Sequence, residues 1–387
     1  MYKTYTVRLL PDLKQEELMY KHVNACRFMW NYMLELQNSR YKHGRKSLSA
    51  FDMMNEITFM KKQCEFEWLK EVSNHSLQNI CKDLDKAFKM FFNKTHGKPK
   101  YKSKKKNNIS FPISADKNAT YFVNENYIQI PKLSHVKYKT NYNFTRETKL
   151  LNLRIQYIKS SKKWILTFSV ECDSQTPKLS NKSMGIDLGV KEQCVVAAGD
   201  RCLIYHNINK SKRMRQLERK KKHIKRAISR KYRTFNGKGT MNKGEKRNKS
   251  KCIERYEQIL REIEYKIANI RHNHIHQITR QLINMLPKRV VMEDLNVSGM
   301  KKNKHLSKAI SEQNFYFFIQ CMKYKCEEYG IEFIRADRYY PSSKICSNCG
   351  HKKVDLKLSD RIYICPVCGL EIDRDYNAAI NLMNYNK

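Results

Sequence analysis

Four cysteines near the C-terminal end constrain this chain more than any other feature. Cys346, Cys349, Cys365 and Cys368 fall into the pattern C-x2-C-x15-C-x2-C. Each C-x2-C turn lets two thiolates reach one tetrahedral ion, and two such turns at this spacing form a zinc ribbon. Gly350 and Gly369 directly follow the second cysteine of each pair, where a tight turn favours a residue without a Cβ. The second knuckle runs straight into Glu371-Ile372-Asp373-Arg374-Asp375. A small metal module that delivers carboxylates into a larger domain implies an active site nearby, whose other residues the rest of the chain should supply.

Lysine and arginine total 77 against 37 acids in 387 residues, a formal net charge of +40. Solubility of a small domain requires a net charge of only roughly 2 to 8, so an excess this large implies a polyanionic partner, nucleic acid. No run of about 18 apolar residues and no signal-peptide pattern occurs, which leads to the expectation of a soluble cytoplasmic protein without a membrane partner. Of the 13 cysteines, those outside the ribbon, such as Cys26, Cys81 and Cys321, are expected to be thiols that pack as small hydrophobes.

Residues 1 to 10 alternate as a strand, Pro11-Asp12 breaks it, and apolar spacing then predicts a helix from Leu13 to about Tyr41. Helices over about 50 to 63 and Ser76 to Phe92 complete a helical lobe. In the third, Gln78, Asn79 and Lys82 lie off the apolar stripe, where they either read a groove or are merely solvated. The lysine run over 94 to 106, with Lys104 and Lys105, reads as a phosphate-contacting linker. From 109 to 172, short strands separated by turns predict a small antiparallel barrel to which residues 1 to 10 add a strand. The expected division is therefore a barrel from 1–10 and 107–178 with the lobe 11–106 inserted.

After a polar linker the pattern becomes α/β. Three short strands, a helical region, a strand, a helix, a strand and a terminal helix follow in the order of the ribonuclease H fold, with the ribbon before the last helix. This gives an α/β domain of 179–345 and 371–387 around a ribbon at 346–370. The helical region begins with a basic helix over about 209 to 233, and residues 209 to 251 hold 19 Lys/Arg against Glu218 and Glu245 alone. A solvated helix usually mixes signs, so Lys220, Lys221, Lys222 and their neighbours are expected to hold a phosphate backbone. A second helix, from about 253 to 286, should end at Pro287. His272 and His276 on it lack a third ligand and read as surface residues.

Three acidic positions fall where phosphodiester chemistry needs them. In Gly185-Ile186-Asp187-Leu188-Gly189, alternation turns Met184, Ile186 and Leu188 to the core and Asp187 away from it, with glycines leaving room for a metal and a phosphate. Glu293 closes the apolar strand Val290-Val291-Met292, a costly place for an acid unless it is paired or metal-bound. Its neighbour Asp294 is a rival, unless it satisfies turn amides through Asn296. Asp375 starts the last helix, where an anion is favoured, and Asp373 competes with it. Hard oxygen ligands without a histidine cluster suit Mg2+ or Mn2+.

These residues carry a family resemblance. The segments GIDLGVK at 185–191, MEDLNVSGM at 292–300, YPSSKICSNCG at 340–350 and CPVCGLEIDRDYNAAINL at 365–382 resemble the TnpB family of transposon-encoded RNA-guided nucleases, relatives of the compact type V CRISPR effectors. CRFMWNYML at 26–34 and LQNICKDLDKAFKMFF at 77–92 are softer matches, so the likeness spans nearly the whole chain. The resemblance implies a wedge barrel with an inserted recognition lobe, and a RuvC-like nuclease domain holding the zinc ribbon. It implies a guide RNA from the transposon end and Mg2+-dependent cleavage of double-stranded DNA beside a short motif. No obligate protein partner is implied, and DNA binding would put the protein on the nucleoid. Matching motif to motif carries the catalytic acids onto Asp187, Glu293 and Asp375. The N-terminal half would read the adjacent motif, and Gln78, Asn79 and Lys82 are the candidates there. The competing functions are a nuclease-silent guided DNA binder, against which the intact acids argue, and a transposase, which the ribbon and lobe match less well.

Overall fold

A computed structural model describes residues 2–104, 109–172, 177–236, 249–357 and 360–385. It divides into two compact units, 1–172 and 173–387.

In the first unit, strand β1 (Tyr2–Leu10) leads into helices α1 (Leu13–Lys42), α2 (Ala50–Met60) and α3 (Asn74–Phe92), then strands β2 (Ile109–Pro112), β3 (Tyr121–Phe122), β4 (Tyr127–Ile130), β5 (Ser134–Lys139), β6 (Leu150–Ile158) and β7 (Lys163–Glu171). Asp12 starts α1 as expected, its carboxylate accepting from Gln15 N at 2.8 Å while the Gln15 side chain accepts from Asp12 N. The strands form one seven-stranded sheet in the order β2-β6-β7-β1-β5-β4-β3, so β1 does join the later strands, along its full length against β7. The two end strands, β2 and β3, are not bonded to each other among the described residues. Helices and sheet share a single core that joins Met19, Met29 and Met33 of α1 and Leu77 and Leu84 of α3 to Phe111, Ile155 and Phe168 of the strands. The segment expected to be helical to 63 stops at Met60, and Cys64–Lys70 turns as a 3-10 helix instead.

The second unit contains β8 (Ser183–Leu188), β9 (Glu192–Ala198), β10 (Arg201–His206), α4 (Lys212–Asn236), α5 (Lys251–Ile283), β11 (Arg289–Glu293), α6 (Val297–Met300), α7 (Ser307–Gln313), α8 (Phe315–Tyr329), β12 (Glu332–Ala336), β13 (Ile362–Ile364), β14 (Glu371–Asp373) and α9 (Arg374–Met383). Five strands form a sheet in the order β10-β9-β8-β11-β12, antiparallel on the β9 side and parallel from β8 to β12. Along the chain, three strands, the helices α4 and α5, a strand, the helix α8, a strand and the last helix follow in the expected succession. Helix α5 ends at Ile283, short of the expected 286, because the residue before Pro287 is pushed out of the helical region and Leu286 takes φ +48°.

Period-2 alternation divides the sheet between two layers. Met184, Ile186, Cys194, Val196, Val290 and Met292 bury one face against Ile275, Ile278, Leu282, Phe318 and Met322 of α5 and α8. The opposite face carries Val195, Ala197 and Val291, packed against Ala379 and Leu382 of α9. Helices α4 and α5 pair through Met214, Ile224, Ile263 and Ile267.

Candidate acid site and cysteine centre

The face covered by α9 is where the acids converge. Ile186 and Met292 are register partners on the parallel strands β8 and β11. The next residue of each, Asp187 and Glu293, therefore stands on neighbouring strands about 4.8 Å apart and points toward α9. Asp375 lies in the first turn of that helix, close enough for its charge to act on Asp187. Burial, then the charge of Glu293, then that of Asp375 push the Asp187 carboxyl well above its ordinary range, and Arg374 offsets part of the rise. Burial also raises Glu293, against a hydrogen bond donated by the Ser342 hydroxyl to its Oε1. Arg374 holds Asp375 Oδ1 at 3.1 Å, and Arg361 stands 4.0 Å from Oδ2. Such a donor set, hard oxygens crowded at a half-buried spot, fits a divalent cation with oxygen ligands.

The two rivals have other duties. Asp294 is held by Arg338 at 2.7 Å and Arg335 at 3.4 Å, and Asn296, not Asp294, accepts the turn amide, from Gly299 N at 2.9 Å. Asp373 caps α9, its Oδ1 accepting from Asp375 N at 2.9 Å and Tyr376 N at 3.0 Å. One expectation fails: Gly185 leaves no room for a metal or phosphate. An added Cβ there would lie 2.1 Å from Ala379 O and 2.3 Å from Met383 N, so its missing side chain admits the backbone of α9.

All four ribbon thiols lie within 4.8 Å of one another, and among the described residues no other group of His, Cys, Asp or Glu meets that test. Cys346 and Cys368 Sγ are 3.6 Å apart and Cys349 and Cys365 3.5 Å. Tetrahedral Zn–S bonds of about 2.3 Å put sulfurs about 3.8 Å apart, so the cluster fits zinc. Both knuckles close as expected, Gly350 N donating to Cys346 O at 2.9 Å and Gly369 N to Cys365 O at 3.1 Å, with φ of +75° and +70°. The Leu370 backbone amide is the main cause that brings the Cys368 thiol down to about 6. Tyr363, Leu356, Leu370 and Ile372 give the ribbon its own small core.

Of the other cysteines, Cys26, Cys81, Cys194, Cys321 and Cys326 are buried as expected, but Cys64, Cys202 and Cys252 are exposed. His272 and His276 stand on the surface against Phe317, ring centroids 4.3 and 5.4 Å away.

The basic residues divide. Lys220 and Lys222 are exposed, whereas Lys221 faces Glu264 at 3.6 Å and Glu218 at 4.0 Å. Charge balance on α4 thus comes from α5, which sequence spacing along α4 alone does not reveal. On α3, Gln78 and Asn79 are half-buried and Lys82 is exposed. None of the three lines the cleft of about 770 Å³ in this unit, which is bounded by Asn24, Arg27, Lys102, Lys104 and Arg154 among others. Lys105 lies outside the described residues. Sequence reasoning missed Arg27, Arg154 and Lys102. Arg154 pairs with Asp83 at 3.0 Å, and Lys102 sits 3.6 Å over the Trp30 ring, burial pushing its ammonium down to about 8.

A mixed α/β chain with a four-cysteine centre set between a strand and the last helix is the class these features define. Family models match residues 315–382 ("Cas12f1-like, TNB domain"), 167–304 ("Probable transposase") and 1–46 ("Helix-turn-helix domain"), the last covering β1, α1 and the residues just beyond. The putative RNA-guided DNA endonuclease InsQ of Escherichia coli K12 is 26% identical over 401 residues, spanning 98% of this chain and 91% of the relative. A putative RNA-guided DNA endonuclease of Streptomyces pristinaespiralis is 26% identical over 382 residues, 98% and 88% of the two chains. The CRISPR-associated endodeoxyribonuclease Cas12f1 of Sulfoacidibacillus thermotolerans is 32% identical over 228 residues, 57% of this chain and 50% of that one. A solved Cas12f1–sgRNA–target DNA complex shares the fold, with a TM-score of 0.62 at 14% identity over 99% of each chain. Over nearly its whole length the chain is similar to proteins of the TnpB type. No helix among the described residues is long and apolar enough to cross a membrane.

Proposed function

We propose that this chain is an RNA-guided DNA endonuclease that cuts double-stranded DNA beside a short motif, with Asp187, Glu293 and Asp375 as its catalytic acids. The observation that carries this reading is geometric: Asp187 and Glu293 stand at the ends of neighbouring strands β8 and β11, on the sheet face against which α9, with Asp375 in its first turn, packs. The names of the full-length relatives support the guided activity. Mg2+ is the ion these oxygens suit, and when bound it would supply charge neutralisation and a water of lowered pKa for phosphodiester hydrolysis. The chain itself fixes Asp187 and Glu293 on hydrogen-bonded strands, carries Asp375 on a helix packed against both, and offsets its charge with Arg374 and Arg361. The cysteine centre holds structural Zn2+.

Base pairing with a guide RNA from the transposon end reads the target, while the protein reads backbone shape and the short motif. We assign 1–10 and 107–178 to a wedge barrel, 11–106 to a recognition lobe, and 179–345 with the C-terminal segment to a RuvC-like nuclease domain; the ribbon, expected over 346–370, runs on to Asp373, because β14 pairs with β13 and Ile372 packs in its core. Lys104, Lys105, Lys220 and Lys222 are assigned to phosphate backbones, Lys221 to a lesser share because of its ion pairs, and Gln78, Asn79 and Lys82 to the motif. The test is expression with the flanking genomic sequence, sequencing of copurified RNA, and cleavage of a matched duplex. A discrete RNA species is expected, and Asp187→Ala should abolish cutting while guided binding persists. Absence of bound RNA, or cutting by RNA-free protein, refutes the reading.

A further inference from the structure

We propose that Ser342 is a positioning residue for Glu293, held in register by two buried amides of α9; the inference rests on the acid-site reading above. Ser342 is 2% exposed and donates its hydroxyl to Glu293 Oε1. It sits in a tight turn in which Lys344 N and Ile345 N both bond Pro341 O, at 2.9 and 3.2 Å. That turn is fastened to α9. Asn381 Nδ2 donates to Ser342 O at 2.7 Å and to Ile345 O at 2.6 Å. Asn377 Nδ2 donates to Ile345 O at 2.7 Å, and its Oδ1 accepts from Ser347 N at 2.9 Å.

Asparagine is a poor helix former, and Asn377 and Asn381 are 0% and 5% exposed in the interior of α9. Their cost is offset only by these bonds, which no shorter or apolar side chain reproduces. The result is one connected path. The helix that carries Asp375 grips the turn that carries Ser342, and Ser342 selects the orientation of Glu293 on the opposite strand. The same turn opens the first cysteine knuckle at Cys346, so the amides that seat the ribbon also align two of the three acids. A carboxylate fixed by an outer hydroxyl presents its oxygens in one orientation, and such outer partners govern metal affinity.

The experiment uses the full chain purified with its guide RNA, as wild type, Ser342→Ala, Ser342→Thr and Asp187→Ala. Mn2+ binding is followed by electron paramagnetic resonance, the acid-site signal being the part lost in Asp187→Ala, and Mg2+ half-saturation is read from cleavage. Ser342→Ala should weaken that Mn2+ binding roughly 10- to 100-fold and raise the Mg2+ half-saturation in parallel, with guide retention and guided DNA binding unchanged. Ser342→Thr, which keeps the hydroxyl, should restore both. Wild-type metal dependence in Ser342→Ala overturns the proposal, as does a loss that Ser342→Thr does not restore or that comes with loss of guide retention. If Asp187→Ala still cuts, the acid-site reading itself has failed. If Asp187→Ala is inert and Ser342→Ala titrates as wild type, the positioning inference alone has failed.

Discussion

Replacing Gly185 by alanine tests the packing that brings the third acid to the other two. The new Cβ would lie 2.1 Å from Ala379 O, 2.3 Å from Met383 N and 2.9 Å from Met383 Cα. All three are backbone atoms of α9, so no side-chain rotation relieves the clash, and the helix must retreat by more than an ångström to reach ordinary contact. Retreat loosens Ala379 from Val195 and Ala197 and Leu382 from Val291 and Ala336. Overpacking costs typically about 1–3 kcal/mol, and a clash confined to backbone belongs at the top of that range. For a unit of this size, about 3 kcal/mol lowers the unfolding midpoint by about 6 to 12 °C. Because Asp375 rides on α9, displacement on this scale should also cut the cleavage rate about 100-fold, with guided binding affected far less. Gly189→Ala is the control. Its Cβ would meet Glu192 O at 3.3 Å and nothing nearer, and it should stay within about 0.5 kcal/mol of wild type. The assays are calorimetry of the purified protein and single-turnover cleavage with a saturating guide. A Gly185→Ala protein that melts within about 2 °C of wild type, or cuts at the wild-type rate, refutes the reasoning.

Cys365→Ser, at a thiol 2% exposed, should remove the equivalent of zinc measured by mass spectrometry and abolish cleavage, because Tyr363 and Ile372 lose the small core that leads into α9. Retention of stoichiometric zinc, or of full activity, counts against the four-cysteine centre. Lys102 predicts a pH dependence. Its folded pKa of about 8 lies below the ordinary 10.5, so the unfolded chain binds the proton more tightly. The penalty is fully present below about pH 8, and stability recovers as pH rises from 8 toward 10.5. Lys102→Met should therefore raise the melting midpoint at pH 7, with the gain shrinking at alkaline pH; a pH-independent difference would show that the ammonium is not desolvated.

Much of this was legible in the sequence because it rests on period and spacing. Alternation along 183–188 turned Met184, Ile186 and Leu188 to the core and Asp187 to the other face, and the apolar run Val290-Val291-Met292 marked a buried strand that ends at Glu293. The cysteine spacing and its glycines specified the knuckles, since φ near +70° and two thiols per turn leave few alternatives. What stayed hidden depends on which element lies opposite. Gly185 read as space for a ligand because sequence shows that a side chain is missing but not what enters the gap. The basic face of α4 read as unpaired because Glu264, which meets Lys221 and Lys225, is contributed by α5.

Asn377 and Asn381 were hidden in the same way. Polar residues near the end of a short helix suggest a solvated face, yet both are buried and spend their amides on the turn from Ser342 to Ser347. Their position explains how a ribbon can interrupt the chain between β12 and α9 without uncoupling the acids on either side of it. The chain leaves the sheet at Ala336 and returns at Arg374, with its own metal-centred core in between. Covalent connectivity through that insertion is too long to fix Asp375 relative to Glu293. The fixing is done instead by α9 packing on Val291 and Ala336 and by its amides gripping the turn at the ribbon's entrance. A ribbon of different length is therefore tolerable as long as that turn and the two amides are kept, whereas a change at the turn reaches the acids directly.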